Sequence, residues 1–384
     1  MTGLYSAAAK LVRAAARSGI ATAVPAVAML LTASFSQPAA AMNIQQITSP
    51  GGIKAWLVEE HGVPLISLRY AFDGGNSQDP PGKEGLANFI TAMMDEGAGD
   101  IKSEDYQERM EDIAMRMSYD DSKDSLYGSF ETLSKNRDKA VELLKLSVQK
   151  PRFDTEAVER IKQQLLANIA YADKDPEKVA MREWYAQAFP KQPYGNPSNG
   201  TAETVAKITR DDLVDYHKRN FARDNLKVVA VGDITAAELG KILDDVFGAL
   251  PAKAKLFPVA KTEPVPGGGQ KIIEMGVPQS VAIFGLGAMP RKDPDFMAAF
   301  VVNHILGGGG FSAKLMEEVR EKRGLAYSVY TYIQPYQQAS ILVGSVATKN
   351  ASMAESLKII RGEMAKMAEN GPAPDDLQAA KDYL

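Results

Sequence analysis

The chain has 384 residues, a formal net charge of −4, 45% hydrophobic and 24% charged residues, and no cysteine. That is the composition of a globular protein long enough for two cores, and it argues against disorder and excludes disulfides, thiol catalysis and a lipidated N-terminal cysteine. The acidic balance offers no attractive surface to nucleic acid or anionic lipid.

Residues 1–41 contain no acidic residue. A basic stretch (Lys10, Arg13, Arg17) runs into an apolar one from Ile20 to Phe35 and ends at Pro38-Ala39-Ala40-Ala41. The pattern predicts a cleavable signal peptide, because the apolar run is shorter than the roughly 20 residues a membrane-spanning helix needs and carries Pro25 in its middle. Cleavage near Ala41-Met42 removes three positive charges, takes the formal net charge from −4 to −7, and gives a soluble periplasmic protein with no stable membrane insertion.

The mature part opens with Gly52–Val58 and Pro64–Phe72, two apolar, β-rich stretches separated by the turn formers Glu60-His61-Gly62, which predict an antiparallel pair. Helical patterns follow at about 84–96, 103–118, 137–149, 155–172 and 175–188, and Asn225–Asp233 reads as a buried strand. Strands and helices mix without strict alternation, which favours α+β. Residues 251–269, with four prolines, three lysines and the run Gly267-Gly268-Gly269, lack an apolar period and predict a linker. Beyond it the order starts again. Strands are expected near 270–275 and 279–286, helices near 293–306 and 312–323, and strands near 325–333 and 339–346. Two similar α+β domains, 42–250 and 270–384, account for the repetition. Pro374 to Leu384 looks like the counterpart of the helix starting at Asp154, so the second domain is expected to be incomplete at its C-terminus.

Within the first helical pattern, Leu86, Phe89, Ile90, Met93 and Met94 make an apolar stripe, and Asn88, Thr91 and Ala92 share the other face. Gly85-Leu-Ala-Asn-Phe resembles the M16 (pitrilysin-like) metallopeptidases, whose active helix reads Gly-Leu-Ala-His-Phe-x-Glu-His. That resemblance implies two facing domains of mixed or antiparallel sheet packed with helices, forming half of a clamshell. It also implies where the zinc site would be. The first histidine falls on Asn88, the glutamate on Thr91, the second histidine on Ala92 and the third ligand on Asn168. Catalytic zinc needs three nitrogen or carboxylate ligands plus an open water position, and an amide, a hydroxyl and a methyl supply neither the ligands nor the base. The chain's histidines, His61, His217 and His304, are far apart and form no replacement pair, so no metal is expected.

In the second half, a charged amphipathic run from Leu315 to Arg323 is broken by Gly324 and followed by the strand-like Leu325-Ala-Tyr-Ser-Val-Tyr-Thr-Tyr332. By itself this reads as a solvated charge run before a core strand. The string is similar to the M16 second-domain signature, in which an arginine and a tyrosine seven residues apart face the peptidase chamber, and it places them at Arg320 and Tyr327. A guanidinium offers fixed donors to peptide carbonyls or a carboxylate, and a phenol can donate to an oxyanion. Arg323 and Tyr330 are nearby competitors with a structural reading. Gly307, Gly308, Gly309 and Gly310 read as a flexible turn permitting close packing, since no Gly-Lys-Ser/Thr follows to make a phosphate loop. The resemblance adds a possible substrate loop, because the non-catalytic subunit of the mitochondrial processing peptidase has a longer glycine-rich loop there. Pro193-Tyr194-Gly195-Asn-Pro197 and the strand ending Val-Gly-Asp233 are further likenesses to the family.

The resemblance implies a non-catalytic, substrate-binding subunit of a heterodimeric peptidase, which lends Arg320 and Tyr327 to an HxxEH-bearing sister subunit that supplies zinc for cleaving peptides. The alternative is a structural or peptide-binding scaffold with no catalytic partner. A self-sufficient hydrolase lacks support, as there is no Gly-x-Ser-x-Gly elbow.

Overall fold

The computed structural model describes residues 43–267 and 269–384; the expected signal peptide lies outside the described residues, as does Gly268 of the linker. Strands β1 (Gln45–Thr48), β2 (Lys54–Glu59), β3 (Leu65–Asp73), β4 (Arg116–Asp121), β5 (Ser125–Leu133) and β6 (Leu226–Gly232) build one sheet in the order β1-β2-β6-β3-β5-β4. The expected pairing of the first two apolar stretches, β2 with β3, does not occur. Strand β6 lies between them, parallel to β2 (Trp56↔Val229) and antiparallel to β3 (Leu68↔Ala230). Neighbouring strands lie about 4.8 Å apart, so the five residues from Glu60 to Pro64 can cross two strand spacings as easily as one. The local turn therefore does not fix the neighbour.

Burial along the strands alternates because helices cover one face of the sheet. Leu57, Ile66, Leu68, Phe72, Val228, Ala230 and Phe130 are buried, whereas Trp56, Tyr127, Val229 and Val231 on the opposite face are exposed. The stretch 225–233 is thus a central strand, but it is not buried on both sides as its composition suggests. The helices of this half are α1 (Leu86–Thr91), α2 (Ser103–Asp112), α3 (Arg137–Gln149), α4 (Thr155–Ala172), α5 (Pro176–Ala188), α6 (Ala202–Ala206), α7 (Arg210–Asn220) and α8 (Ala236–Phe247), of which α5 leaves this core and packs against the sheet of the second half.

Two expected helices end early. The 84–96 pattern stops being helical at Thr91, where the backbone tightens to three-residue spacing (Met93 N to Ile90 O, Glu96 N to Met93 O), and the carbonyls of Met94 and Asp95 accept from Ser147 Oγ (2.7 Å) and Gln107 Nε2 (3.0 Å). The 103–118 pattern stops at Asp112. Ala114 adopts a left-handed φ of 50° and reverses the chain into β4.

The second half carries β7 (Gln279–Gly287), β8 (Ala326–Pro335) and β9 (Ser340–Lys349) in the order β7-β9-β8, with α9 (Phe296–Asn303), α10 (Met353–Asn370) and α11 (Pro374–Tyr383). This order repeats β3-β5-β4, so the two halves are similar α+β units. Residues 270–275, expected as a strand, form none. In the first half β6 sits beside β3 and carries β2. Among the described residues β7 has β9 on one side and no strand on the other, so 270–275 has no backbone partner and strand pairing cannot develop. Residues 251–267 have no regular structure, but they are tied to both halves by Phe257 N to Gln78 Oε1 (2.6 Å) and Thr262 N to Gln338 O (2.8 Å).

Between the halves lies an aromatic cluster of its own. Phe189, Tyr194, Ile341 and Val343 are buried there, with Trp184, Tyr185 and Tyr336 packed around them. The Asp124 carboxylate, in the turn between β4 and β5, accepts from Tyr194 Oη (2.6 Å) and from the Gln337 backbone N–H (2.8 Å) in the β8–β9 hairpin. Tyr194 Oη accepts in turn from the Gln338 N–H (3.0 Å). Burial raises the Tyr194 phenol far above its ordinary range, so it stays a donor. Tyr194→Phe should cost about 1–3 kcal/mol, the range for an orphaned partner of a charge-assisted bond. Urea unfolding followed by tryptophan fluorescence measures it, and an unchanged midpoint would show that the junction is held by packing alone.

Candidate functional site

Two groups of side chains carry the candidate chemistry. The first is the helix α1 face. Asn88, Thr91 and Ala92 line a cleft of about 290 Å³ together with Asn168 and Leu165 of α4, Tyr119 and Asp120 of β4, and Asn199. The fold thus brings together the four positions of the degenerate zinc motif, which are 80 residues apart in sequence at their extremes. Asn88 Nδ2 donates to Asp121 Oδ1 (3.0 Å), while Asn76 Nδ2 takes Oδ2 of the same carboxylate (2.9 Å). Thr91 Oγ1 donates to the Asn88 carbonyl (2.8 Å). Burial pushes the Asp121 carboxyl above the usual range, and the two amides draw it back. Asp79, buried nearby, accepts from the N–H groups of Gly85 (2.8 Å) and Ala87 (2.9 Å) and holds the start of α1. Sequence reasoning missed Asp121 and Asp79, since nothing local marks a carboxylate as the partner of a distant amide. Two amides, a hydroxyl and a methyl do not fit a zinc ion, and among the described residues no cluster of three His, Cys, Asp or Glu side chains could replace them.

The second group lies on irregular backbone. Arg320 sits in a π-helical turn, Met316–Glu321, where a regular helix over 312–323 was expected, and Tyr327 is the extra residue of a β-bulge between Ala326 and Ser328. π turns and β-bulges are inserted where a side chain has to be re-aimed, at some cost to the ladder. Here they bring the Arg320 guanidinium to 4.9 Å from the Tyr327 ring centroid, with the tyrosine 82% exposed. Phe311, at the end of the glycine run, covers the guanidinium from another side at 4.6 Å. Phe311 carried no signal in the sequence beyond being a lone aromatic after glycines.

The glycine run is not a free loop. Leu306 and Gly307 are buried in a second π turn, His304–Gly308, and a Cβ on Gly307 would lie 2.4 Å from Thr331 Oγ1. Gly310 has a left-handed φ of 61° and turns the chain into Phe311. Arg323 and Tyr330 make internal contacts. Arg323 Nη1 donates to the Glu318 carbonyl and carboxylate (2.6 and 2.7 Å), and Tyr330 Oη to Glu177 Oε1 (3.0 Å). Among the described residues no hydrogen bond, ion pair or aromatic contact joins Arg320 or Tyr327 to the α1 cleft.

The three histidines stay apart. His61 is exposed and raised by Asp233, and His304 stacks on Tyr383 at 5.3 Å. His217 packs against Phe153 and Phe221 and donates Nε2–H to Val148 O (2.8 Å), and burial lowers its pKa to about 4.

Taken together, two α+β halves with a metallopeptidase-type helix that cannot bind metal define a peptidase-like fold of the non-catalytic kind. A family profile described as "Insulinase (Peptidase family M16)" matches residues 57–202, and one described as "Peptidase M16 inactive domain" matches residues 207–384. A crystal structure of a peptidase M16 inactive domain from Pseudomonas fluorescens superposes with a TM-score of 0.83 at 31% identity, covering 89% of this chain and 83% of that one. The "Non-peptidase homolog YmxG" of Helicobacter pylori is 26% identical over 358 residues, 93% of this chain and 82% of that protein. An "Uncharacterized zinc protease" of Rickettsia bellii is 26% identical over 309 residues, 80% of this chain and 74% of that protein. The chain belongs to the peptidase M16 family, as a non-catalytic member.

Two outcomes follow from this geometry. The purified chain should hold no stoichiometric zinc and cleave no peptide alone; elemental analysis finding about one tightly held zinc per chain would overturn the reading of the α1 cleft. His217 should make stability fall with acid. Its folded pKa of about 4 lies below the unfolded value of about 6.5, so its contribution is complete above pH 6.5 and is lost as the unfolded state gains a proton between pH 6.5 and 4. The loss amounts to at most about 3 kcal/mol, and His217→Gln should flatten that part of the urea-unfolding profile against pH.

Proposed function

We propose that this chain is the non-catalytic, substrate-binding subunit of a heterodimeric zinc metallopeptidase acting on peptides. The observation that carries the proposal is the placement of a half-buried Arg320 beside an exposed Tyr327 on two separate backbone irregularities, a π turn and a β-bulge. Each irregularity buries its apolar residues, Met316 and Val319 in the π turn and Ala326 at the bulge, while turning Arg320 and Tyr327 away from that core, and local rules are broken in this way mainly at functional sites. Within the chain the pair has no metal to act with, since the α1 cleft carries amides. The fitting partner is an HxxEH-bearing sister subunit of the same family, which contributes zinc and base while Arg320 binds substrate oxygens and Tyr327 donates to the developing oxyanion. Substrate would lie extended and add to a sheet edge, so that selection follows size and conformation more than one side chain. The free edge of β4 borders the α1 cleft and suits such an arrangement. The signal-like residues 1–41 support export to the periplasm; among the described residues no helix is long and apolar enough to cross a membrane.

Mixing the chain with its zinc-bearing sister should give peptidase activity that neither shows alone. Tyr327→Phe should lower turnover by about 10²–10³, the cost of one oxyanion donor. Arg320→Ala should weaken peptide binding as well, because its contact exists in the ground state. Size-exclusion chromatography should show both variants still assembled. A double variant that forms the complex and cleaves at the unmodified rate would transfer the protein to the scaffold reading, in which no catalytic partner exists.

A further inference from the structure

We infer that Phe311, Arg320 and Tyr327 form one carboxylate-recognising clamp, in which Phe311 is a specificity-determining side chain; this rests on the substrate-binding reading above. The guanidinium lies 4.6 Å from the Phe311 centroid and 4.9 Å from the Tyr327 centroid, so aromatic rings occupy its surroundings and its hydrogen-bond donors are left to an incoming ligand. Both rings are themselves largely exposed, at 68% and 82%, and they flank a guanidinium whose side chain is 27% exposed, so a ligand can reach it between them.

The neighbouring charges distinguish Arg320 from every other cation of this segment. Lys314 pairs with Asp376 (3.0 Å), Lys322 with Glu317 (2.8 Å) and Glu318 (2.5 Å), and Arg323 with Glu318 (2.7 Å). The acids Glu317 and Glu318 are thereby neutralised by cations other than Arg320. Arg320 has one loose contact, Nε to Glu321 Oε1 at 3.4 Å, and among the described residues its two Nη groups make no hydrogen bond. A planar fork with free donors and aromatic neighbours matches the two coplanar oxygens of a carboxylate better than a single carbonyl oxygen. The carboxylate of a bound peptide has two sources, the chain terminus and an acidic side chain. Phe311 owes its position to Gly310, whose left-handed backbone directs the chain back across the π turn.

The test uses the purified chain and three fluorescein-labelled decapeptides of one neutral sequence, read by fluorescence anisotropy. One ends in a free carboxylate, one is C-terminally amidated, and one is amidated with a single internal glutamate. The free acid or the glutamate peptide should bind about tenfold more tightly than the neutral amide, and whichever does so identifies the carboxylate source. Phe311→Leu should reduce that preference by about two- to fivefold while Phe311→Trp restores it, because a ring is needed and bulk is not enough. Circular dichroism controls for folding. Binding that Arg320→Ala abolishes, yet that ignores amidation, the glutamate and Phe311→Leu alike, overturns the clamp and leaves the substrate-binding reading standing. Preference for a carboxylate with no response to Phe311→Leu removes Phe311 from it. No binding of any peptide, or binding indifferent to Arg320→Ala, overturns the clamp and the reading beneath it.

Discussion

The arrangement of this molecule depends on one carboxylate. Asp124 accepts from a phenol of the first half and a backbone amide of the second, and the same phenol accepts from the next amide along the hairpin. Three segments that are far apart in sequence, the β4–β5 turn, the Pro193-Tyr194-Gly195 turn and the β8–β9 hairpin, are thereby fixed to one another. The phenol side of this network is partly sheltered. Tyr185 and Tyr336 share a hydroxyl contact of 2.7 Å, and Phe189 and Tyr194 pack edge to face beside them. Charge-assisted bonds in such surroundings contribute more than exposed ones. Because β4 also borders the α1 cleft, and β8 carries Tyr327, this junction bears on where each candidate site stands.

The two candidate sites differ in a physical sense that goes beyond their residues. Around α1 the motif's polar groups on the helix have internal partners: Asn88 is bonded to Asp121, Asp121 to Asn76, and Thr91 to its own helix. Such a network is satisfied without a ligand. Around Arg320 the backbone is irregular, the rings are exposed, and the guanidinium has only a loose contact to Glu321 (3.4 Å) where each neighbouring cation has a closer carboxylate. Irregular backbone costs free energy and persists only where the surrounding structure imposes it. Here the buried packing of Leu315, Met316 and Val319 on one side of the π turn and of Val329 and Val346 below the bulge does so.

Much of the fold was legible because amphipathic periods are local. The helices at 137–149, 155–172 and 175–188 and the strands near 279–286, 325–333 and 339–346 are all present within a few residues of where periodicity places them. The α1 apolar stripe, from Leu86 to Met94, is fully buried. What periodicity could not supply was partnership. It paired β2 with β3, unable to see that a strand 150 residues later enters between them, and it made a strand of 270–275, which has no neighbour to bond. It extended helix 84–96 past Thr91, where the backbone tightens into successive turns whose last carbonyls are capped by side chains from α2 and α3.

The sequence by itself determined that Asn88, Thr91, Ala92 and Asn168 offer amides, a hydroxyl and a methyl, because whether a position carries an imidazole, a carboxylate or an amide is settled by covalent structure before any folding. It also determined that Asn88, Thr91 and Ala92 share a face, because helical spacing is a property of the backbone. The tertiary structure alone decided that Asn168 and Asn199 join that face, that Asp121 is its bonded partner, and that Phe311 covers Arg320. Those are encounters between segments with no covalent constraint on each other. They are fixed by the burial of apolar surface and by where the π turn and the β-bulge direct the chain, and no local pattern encodes either.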